Sequence, residues 1–202
     1  TRPTTLGLAV LVLVVGPAVY YGQSVSNYNK PRPGRGIPAR LGMVILYATP
    51  ILALILSAKD RLPSADPAQW AVDAAVFIHF TKRVLESLFL HKYSRATDPV
   101  NTLVIAFFYS QAAFTVGWLD RSPAMDMQFV SGAILFLTGI AGNFYHHKLL
   151  ADQRRDSLRY FIPQGALFKY VACPHYLFEI LTWLGIALLS RHTAVWLNLL
   201  VM

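Results

Sequence analysis

Four ionisable residues recur at helical spacing inside an otherwise apolar stretch. His79, Lys82, Arg83 and Glu86 lie at positions i, i+3, i+4 and i+7, which places them on one face of a helix. Such a face is costly against lipid, and ionisable residues within membrane segments usually line a functional cavity. The pattern predicts either an ion-pair ladder inside a helix bundle, or an oriented Lys and Glu that assist a proton donor or bind a cofactor.

A second polar set lies where one apolar segment ends and the next begins: Asn143, His146, His147, His175 and Glu179. The link between the two segments carries Arg154, Arg155 and Arg159, which suit an anionic ligand. We therefore expect this hairpin to hold a phosphate-bearing cofactor at the membrane surface.

The start of the second segment carries a phenol beside a proline. Pro174 suits the first turn of a helix, where its missing N–H costs nothing. Glu179 follows His175 by one turn and can fix its imidazole. Tyr176 could donate a proton if a neighbouring cation stabilises the phenolate, and the alternative is an aromatic at the membrane interface. We expect Cys173, the single cysteine, to pack, so the chain has no disulfide framework.

The sequence lacks the motifs that are typical of several other kinds of catalytic or binding site. His146 and His147 are adjacent, but the other histidines are scattered and no Glu-x-x-His motif accompanies them, so we expect no metal site. No G-x-G-x-x-G follows a strand, and no G-x-S-x-G is present. The net charge of +8 is spread over short loops without a basic tract and stacking aromatics, so no nucleic-acid partner is expected.

Composition identifies the elements that must position these residues. The chain has 202 residues, of which 55% are hydrophobic and 14% charged, against about a quarter charged in soluble domains. We predict a single all-α domain, a polytopic transmembrane bundle of about seven helices. The segments are 5–21, 41–58, 70–90, 100–119, 129–145, 170–190 and one from 193 onward. Pro50 predicts a kink in the second segment.

The two ends of the chain affect the predicted number of membrane helices. The chain begins with Thr1 and stops at Met202 within an apolar run, so we expect a fragment whose last helix is truncated. We interpret the first apolar run as a membrane span, because it lacks the basic region and cleavage site of a signal peptide.

Loop charges predict the orientation. One side holds most of the basic residues: Lys30, Arg32, Arg35, Arg40, Lys92, Arg95, Lys148, Arg154, Arg155, Arg159 and Lys169. The opposite side holds fewer: Arg2, Lys59, Arg61, Arg121 and Arg191. The basic side should face the cytosol, which makes the link between the last two full segments accessible to a cytosolic cofactor.

Three stretches of sequence carry a resemblance to a known family. They are HFTKRVLESLFLHKYS (79–94), GNFYHHKLL (142–150) and YFIPQGALFKYVACPHYLFEI (160–180). These motifs resemble the steroid 5α-reductase (3-oxo-5-alpha-steroid 4-dehydrogenase) family, including its C-terminal domain. They are next most similar to the very-long-chain trans-2-enoyl-CoA reductases of the same superfamily. The similarity covers roughly residues 42–202.

The resemblance implies a fold, a cofactor and a reaction. It implies seven helices in the endoplasmic reticulum membrane, with NADPH bound inside the bundle from the cytosolic side. A lipid substrate (a steroid, a polyprenoid or an enoyl-CoA) would enter laterally, and fatty-acid elongation enzymes would be partners in the last case. The reaction would reduce a C=C bond conjugated to a carbonyl: hydride adds to the β-carbon while a protein acid stabilises the charge developing on oxygen.

The same resemblance assigns residues. Positions that match cofactor-binding positions of the family are Arg83, Asn143, Arg154, Tyr160, His175 and Glu179. Positions that match catalytic positions of the enoyl-CoA reductases are Tyr176, Lys82 and Glu86.

Three departures from the steroid reductases bear on substrate. Phe80 stands where those enzymes have Tyr, residues 47–50 (YATP) replace their Gln-Glu pair, and His147 replaces an Asp. The enoyl reductase mechanism, with Tyr176 as proton donor, therefore fits better than steroid specificity. A non-catalytic lipid-binding relative is the alternative, and the lack of inverted repeats argues against a transporter.

Overall fold

The computed structural model describes residues 36–93, 96–119, 123–154 and 162–201. Six α-helices occupy most of these ranges: α1 (Ala39–Ala58), α2 (Pro67–Leu85), α3 (Pro99–Trp118), α4 (Met127–Gln153), α5 (Pro174–Ser190) and α6 (Thr193–Val201). A π-helical segment, Glu86–Leu90, continues α2, and short 3₁₀ turns cover Leu62–Ser64 and Ala166–Lys169. The predicted first span, 5–21, lies outside the described residues.

Aspartates begin three of the helices. The side chains of Asp66, Asp98 and Asp126 accept hydrogen bonds from backbone N–H groups in the first turns of α2, α3 and α4. Each satisfies a donor that has no partner within the helix, which stabilises a helix start by about 1 kcal/mol. Proline follows the cap in α2 and α3, where its missing N–H costs nothing. The proline predicted to open α5, Pro174, is found there.

Three helices of the described ranges, α1, α3 and α4, have the length and apolar composition needed to cross a bilayer. They correspond to the predicted segments 41–58, 100–119 and 129–145, and the chain is a helical membrane protein. The helix predicted to end near 145 extends to Gln153. Apolar composition predicts an end near residue 145. The helix continues because residues 146–153 include good helix formers and no helix breaker.

Glycines allow two pairs of helices to pack closely. Along α4 and α5, a side chain at Gly139 would put its Cβ 2.5 Å from the backbone N of Thr182, and one at Gly185 would put it 2.5 Å from the backbone N of Phe136. Along α1 and α3, a Cβ on Gly117 would lie 2.8 Å from the backbone O of Leu54. Small residues at such crossings let membrane helices approach without voids.

Helix α2 lies between the two pairs and contacts α1, α3 and α5. Its apolar side chains Val76 and Phe80 are fully buried, and they join a core that includes Val116 of α3 and Trp183 and Ile186 of α5. The polar residues at the end of α2 are therefore held among helices rather than at the lipid.

Two features fall outside the regular helical pattern. β1 (Ile37–Pro38) and β2 (Ala96–Thr97) form an antiparallel pair two residues long, which is too short to produce an alternating sequence pattern. The π-helical segment widens the end of α2 by one residue and buries Glu86 and Ser87. Single π turns of this kind are frequent at functional sites.

Candidate active site

Polar side chains from four helices converge at the end of α2. The convergent residues are Tyr47 of α1; His79, Lys82, Arg83 and Glu86 of α2 and its π-helical extension; Asn143 and His147 of α4; and Glu179 of α5. Most of them are buried, with His79 at 2%, Glu86 at 3% and Asn143 at 1% exposure. We call this set the polar cluster.

Three nitrogen atoms lie close to the carboxylate of Glu86. Lys82 Nζ lies 3.1 Å from Oε1, and Arg83 NH1 lies 2.9 Å from Oε2. His147 Nδ1 lies 3.0 Å from Oε2. The same Nδ1 also lies 2.9 Å from Arg83 NH1, and because a carboxylate only accepts, the contact with Glu86 is a hydrogen bond in the tautomer that carries its proton on Nδ1. The predicted ladder within α2 is present, and His147 connects it to α4.

Asn143 connects this ladder to α5. Its Oδ1 accepts a hydrogen bond from Lys82, while its Nδ2 donates to the backbone carbonyl of His175 at 2.8 Å and to Glu179 Oε2 at 3.1 Å. The other oxygen of Glu179 lies 3.1 Å from His79 Nε2. Two carboxylates are thus matched by the two cations Lys82 and Arg83, as a buried ionic cluster requires.

Tyr47 is a member of the cluster that the sequence did not indicate. Its hydroxyl accepts a hydrogen bond from Arg83 NH2 at 2.5 Å, and the guanidinium carbon lies 4.6 Å from its ring centroid. The side chain is buried, and its ring stacks on Tyr109 at 6.0 Å between centroids. The sequence shows a tyrosine within an apolar segment, which is unusual. However, no periodic pattern of residues relates this tyrosine to Arg83 on another helix.

His175 and Tyr176 occupy the edge of the cluster. The His175 ring packs against His147 at 5.3 Å and Tyr176 at 4.4 Å. The expected contact of Glu179 with the His175 imidazole is replaced by its contacts with His79 and Asn143. Tyr176 is 63% exposed, and its described contact is with His175. Its assignment as proton donor stays a prediction.

The basic link is described only in part. Arg154 NH1 donates to the backbone carbonyl of Lys92 at 2.6 Å, and Lys92 Nζ donates to that of Arg154 at 3.1 Å. These bonds connect the end of α4 to the segment after the π-helix, two turns beyond His147. Tyr160, Arg155 and Arg159 lie outside the described residues.

Glu86, His91 and His147 offer three ligand atoms within 4.8 Å of one another. Arg83 NH1 already lies 2.9 Å from Glu86 Oε2 and 2.9 Å from His147 Nδ1. A guanidinium, which is a cation and only donates, therefore already lies against two of these three groups. The geometry favours an ion-pair role for these residues, and the absence of a metal stays a prediction.

Some buried polar atoms of this region lack a hydrogen-bond partner within the described part of the chain. They include His175 Nδ1 and His146 Nε2. His146 Nδ1 lies 2.7 Å from the Gly142 carbonyl and so donates, which leaves Nε2 as a free acceptor. Since buried polar atoms are normally paired, these nitrogens are available to a ligand with hydrogen-bonding groups.

Sequence comparison identifies relatives of this chain among enoyl-CoA reductases. A very-long-chain enoyl-CoA reductase of Dictyostelium discoideum is 28% identical over 133 residues, 59% of this chain and 42% of that protein. A putative enoyl-CoA reductase of Trypanosoma brucei brucei is 33% identical over 181 residues, 81% of this chain and 60% of that protein. The chain spans about half the length of these two relatives.

Steroid enzymes are matched over more of their length. 3-Oxo-5-alpha-steroid 4-dehydrogenase 1 of Macaca fascicularis is 30% identical over 196 residues, 92% of this chain and 73% of that protein. Residues 96–202 also match the sequence model of the family described as 3-oxo-5-alpha-steroid 4-dehydrogenase. This region is more than half of the chain and contains α3 to α6, including Asn143, His147, His175 and Glu179. The chain therefore belongs to the 3-oxo-5-alpha-steroid 4-dehydrogenase family.

Proposed function

We propose that this protein is a membrane oxidoreductase that uses NADPH to reduce a carbonyl-conjugated C=C bond of a lipid. The observation that carries the proposal is the polar cluster, in which Lys82, Glu86, Asn143 and Glu179 from three different parts of the chain form one buried network. The names of its relatives describe enzymes that act on a steroid bearing a 3-oxo group or on an enoyl-CoA. Both compounds can present a double bond next to a carbonyl.

The residues fit a reduced dinucleotide. Asn143, His175 and Glu179 would hold it where α4 and α5 meet, Arg83 would face it from α2, and Arg154 with Tyr160 would bind its phosphates from the link. When bound, a reduced nicotinamide supplies a hydride. Lys82 fixes Asn143 by donating to its Oδ1, which leaves Nδ2 directed toward α5.

The protein's own contribution to the reaction is electrostatic. Reduction moves negative charge onto the substrate carbonyl oxygen, and Lys82 and Arg83 are fixed cations that can stabilise it without reorganising. Glu86 and the fully buried Phe80 and Trp183 hold these cations in a site from which water is largely excluded. Tyr176 is the proton donor implied by the family motif.

Two substrate classes follow from the relatives. The first is a steroid or sterol-like enone. The second is a trans-2-enoyl-CoA, in which case the protein would work beside fatty-acid elongation enzymes. The buried phenylalanine at position 80 favours the second, since it cannot donate the proton that a tyrosine there would give.

We further propose seven spans in the endoplasmic reticulum membrane: α1 to α5, the segment 5–21 predicted from sequence, and the one that begins at 193. The position of α2 among other helices supports this count. The cluster lies at the end of α2 and the start of α5, on the same side as Lys92, Lys148 and Arg154. The positive-inside rule places that side in the cytosol, where NADPH is available.

The test is anaerobic NADPH oxidation by purified protein in nanodiscs, with a steroid 4-en-3-one and a trans-2-enoyl-CoA compared. We expect oxidation only when one of them is present. Glu179→Gln should lower kcat/KM on the order of 100-fold, a typical loss for a positioned polar group. Lys148→Ala, which alters an exposed ion pair on the same helix as Asn143, should leave it unchanged. Failure to bind NADPH would instead favour a non-catalytic lipid-binding relative.

A further inference from the structure

We infer that Tyr47 is the group that hydrogen-bonds and protonates the substrate carbonyl, an inference that rests on the proposed function. Several phenols lie in or beside the polar cluster, including Tyr93 and Tyr109. Only Tyr47 is described in contact with Arg83, and Tyr176 is the one that the family motif implies. Tyr47 is 8% exposed and is bonded to Arg83, whereas Tyr176 is 63% exposed and packs on His175. A proton donor acts most effectively where water is excluded, and Tyr47 is the more buried of these two side chains.

The hydrogen bond to Arg83 leaves the Tyr47 proton available. A guanidinium can only donate, so the Tyr47 oxygen is the acceptor in its 2.5 Å contact with NH2. The hydroxyl proton is then directed elsewhere, and the contacts described for this side chain include no acceptor for it. The carbonyl oxygen of a substrate would accept this hydrogen bond.

The same arginine would stabilise what remains after proton transfer. Its guanidinium lies between the phenol and the Glu86 carboxylate, with NH2 on Tyr47 and NH1 on Glu86 Oε2. A fixed cation in contact with the phenol oxygen stabilises a developing phenolate without rearrangement. A second cation, Lys82, lies on the other oxygen of Glu86. Tyr47 therefore has the neighbour that a phenolic acid requires.

Tyr47 is also well placed to take the role of the tyrosine that the steroid reductases have at the position of Phe80. The ring of Phe80 lies 5.7 Å from that of Tyr109, and Tyr109 stacks on Tyr47. Tyr47 is thus one aromatic ring away from Phe80, on the neighbouring helix. Tyr109 shares this aromatic stack but has no described contact with Arg83, so it provides a matched control.

The proposed reduction combines a hydride transfer with a proton transfer from Tyr47. When bound, NADPH would supply the hydride that forms a C–H bond at the β-carbon and would be oxidised to NADP+, and the C=C π electrons would move so that the carbonyl oxygen gains the negative charge. The Tyr47 O–H bond breaks as an O–H bond forms on that oxygen, which gives an enol and a phenolate paired with Arg83. The enol tautomerises to the saturated carbonyl compound, and the phenolate recovers its proton from water.

The experiment compares Tyr47→Phe with Tyr109→Phe and Tyr176→Phe. The first measurement is the infrared C=O stretch of a bound steroid 4-en-3-one and of a bound trans-2-enoyl-CoA, without NADPH. We expect the frequency to be lowered in wild type and Tyr109→Phe, and to return toward its unbound value in Tyr47→Phe. The second measurement is turnover with NADPH, which should fall on the order of 100-fold in Tyr47→Phe and stay at the wild-type rate in Tyr109→Phe, while Tyr176→Phe tests the rival donor.

The outcomes separate this inference from the proposed function. Wild-type turnover with an unchanged carbonyl stretch and rate in Tyr47→Phe would overturn the role of Tyr47 and leave the reductase proposal standing. Loss of both signals in Tyr176→Phe would instead assign the donor to Tyr176. Wild-type protein that binds neither compound, and does not oxidise NADPH with them, would overturn both proposals. A retained thermal midpoint in Tyr47→Phe excludes misfolding as the cause of lost activity.

Discussion

Glu86 has the most demanding environment of the residues in the polar cluster. It is 3% exposed, and it contacts Lys82, Arg83 and His147 within 3.1 Å. Removing ions from water costs several kcal/mol each, and this cost is offset only when every charge has a close opposite neighbour. The cluster therefore stabilises the fold as a unit, while each member depends on the others.

This dependence leads to a prediction for Glu86→Gln. The substitution keeps the side-chain shape but leaves two buried cations without their shared anion, so we expect a loss of about 3–5 kcal/mol in unfolding free energy. Thermal melting in detergent measures it. The control is Lys148→Ala, because the Lys148–Asp152 pair is more than half exposed and should contribute at most about 1 kcal/mol. Equal melting temperatures for Glu86→Gln and Lys148→Ala would contradict the prediction.

The environment of His91 predicts that the stability of the folded protein depends on pH. Burial, together with the nearby His147 and Arg83, lowers the pKa of His91 to about 4 from the ordinary 6.5. Between those values the unfolded chain binds a proton that the folded chain does not, so stability is full above pH 6.5 and falls as the pH drops toward 4. His91 is partly exposed, so we expect a contribution on the order of 2 kcal/mol.

The measurement compares melting of wild type and His91→Gln from pH 7.5 to pH 4. Other groups titrate in both proteins, so the difference between the curves isolates His91. We expect the variant to lose less stability than wild type over this range. Parallel curves would show that His91 is freely protonated in the folded protein.

At the residue scale, the spacing of residues predicts the contacts within one helix of the site but not the contacts between helices. The period of His79, Lys82 and Glu86 predicted their common face, because helical neighbours are set by the backbone alone. The contact of Glu179 with His79 and the contact of Tyr47 with Arg83 join different helices. Such contacts depend on how helices cross, which no short-range pattern records.

At the scale of elements, α4 and α5 form the wall of the site. Their contact runs through Gly132, Gly139 and Gly185, and the same helices carry Asn143 and Glu179. Close packing of backbones brings these two side chains within hydrogen-bond distance. The glycines therefore position the site although they take no part in it.

Gly139→Ala tests this packing. A Cβ there would lie 2.5 Å from the backbone N of Thr182, which forces the helices apart, and we expect a destabilisation of about 1–3 kcal/mol. NADPH affinity should fall as well, because Asn143 and Glu179 would separate. Thr138→Ala, at the exposed neighbouring position, is the matched control and should change stability by less than about 0.5 kcal/mol. A Gly139→Ala protein as stable as this control would contradict the role given to the crossing.

Most helix ends agree with the predicted segments, since α1 ends at Ala58 and α5 at Ser190, whereas the segment predicted from 170 becomes helical only at Pro174. Pro174 marked the start of α5, as its missing N–H predicts. The end of α4 was placed too early because apolar composition declines before helical propensity does. The π-helical turn after Leu85 had no sequence signal, since it reflects the packing of Glu86 and Ser87 against other helices.

At the scale of the whole molecule, opposite ends of α2 carry different polar contacts. At its start, Arg61 NH2 binds Asp73 at 2.7 Å and the Gly117 carbonyl at 2.9 Å, which fixes the turn before α2 to α3. At its end lies the polar cluster. One end therefore anchors the bundle and the other is available for chemistry. Composition alone predicted a helical membrane protein, but this division of roles required the three-dimensional arrangement.

The most direct test of the central claim follows the hydride. Full-length protein in nanodiscs would receive NADPH carrying deuterium at the transferable position of the nicotinamide, with a steroid 4-en-3-one or a trans-2-enoyl-CoA, and the product would be analysed by mass spectrometry. The account predicts a saturated carbonyl product with one deuterium at the β-carbon, and a greatly reduced yield in Glu179→Gln. Both compounds recovered unreduced, or a reduced product without deuterium, would contradict it.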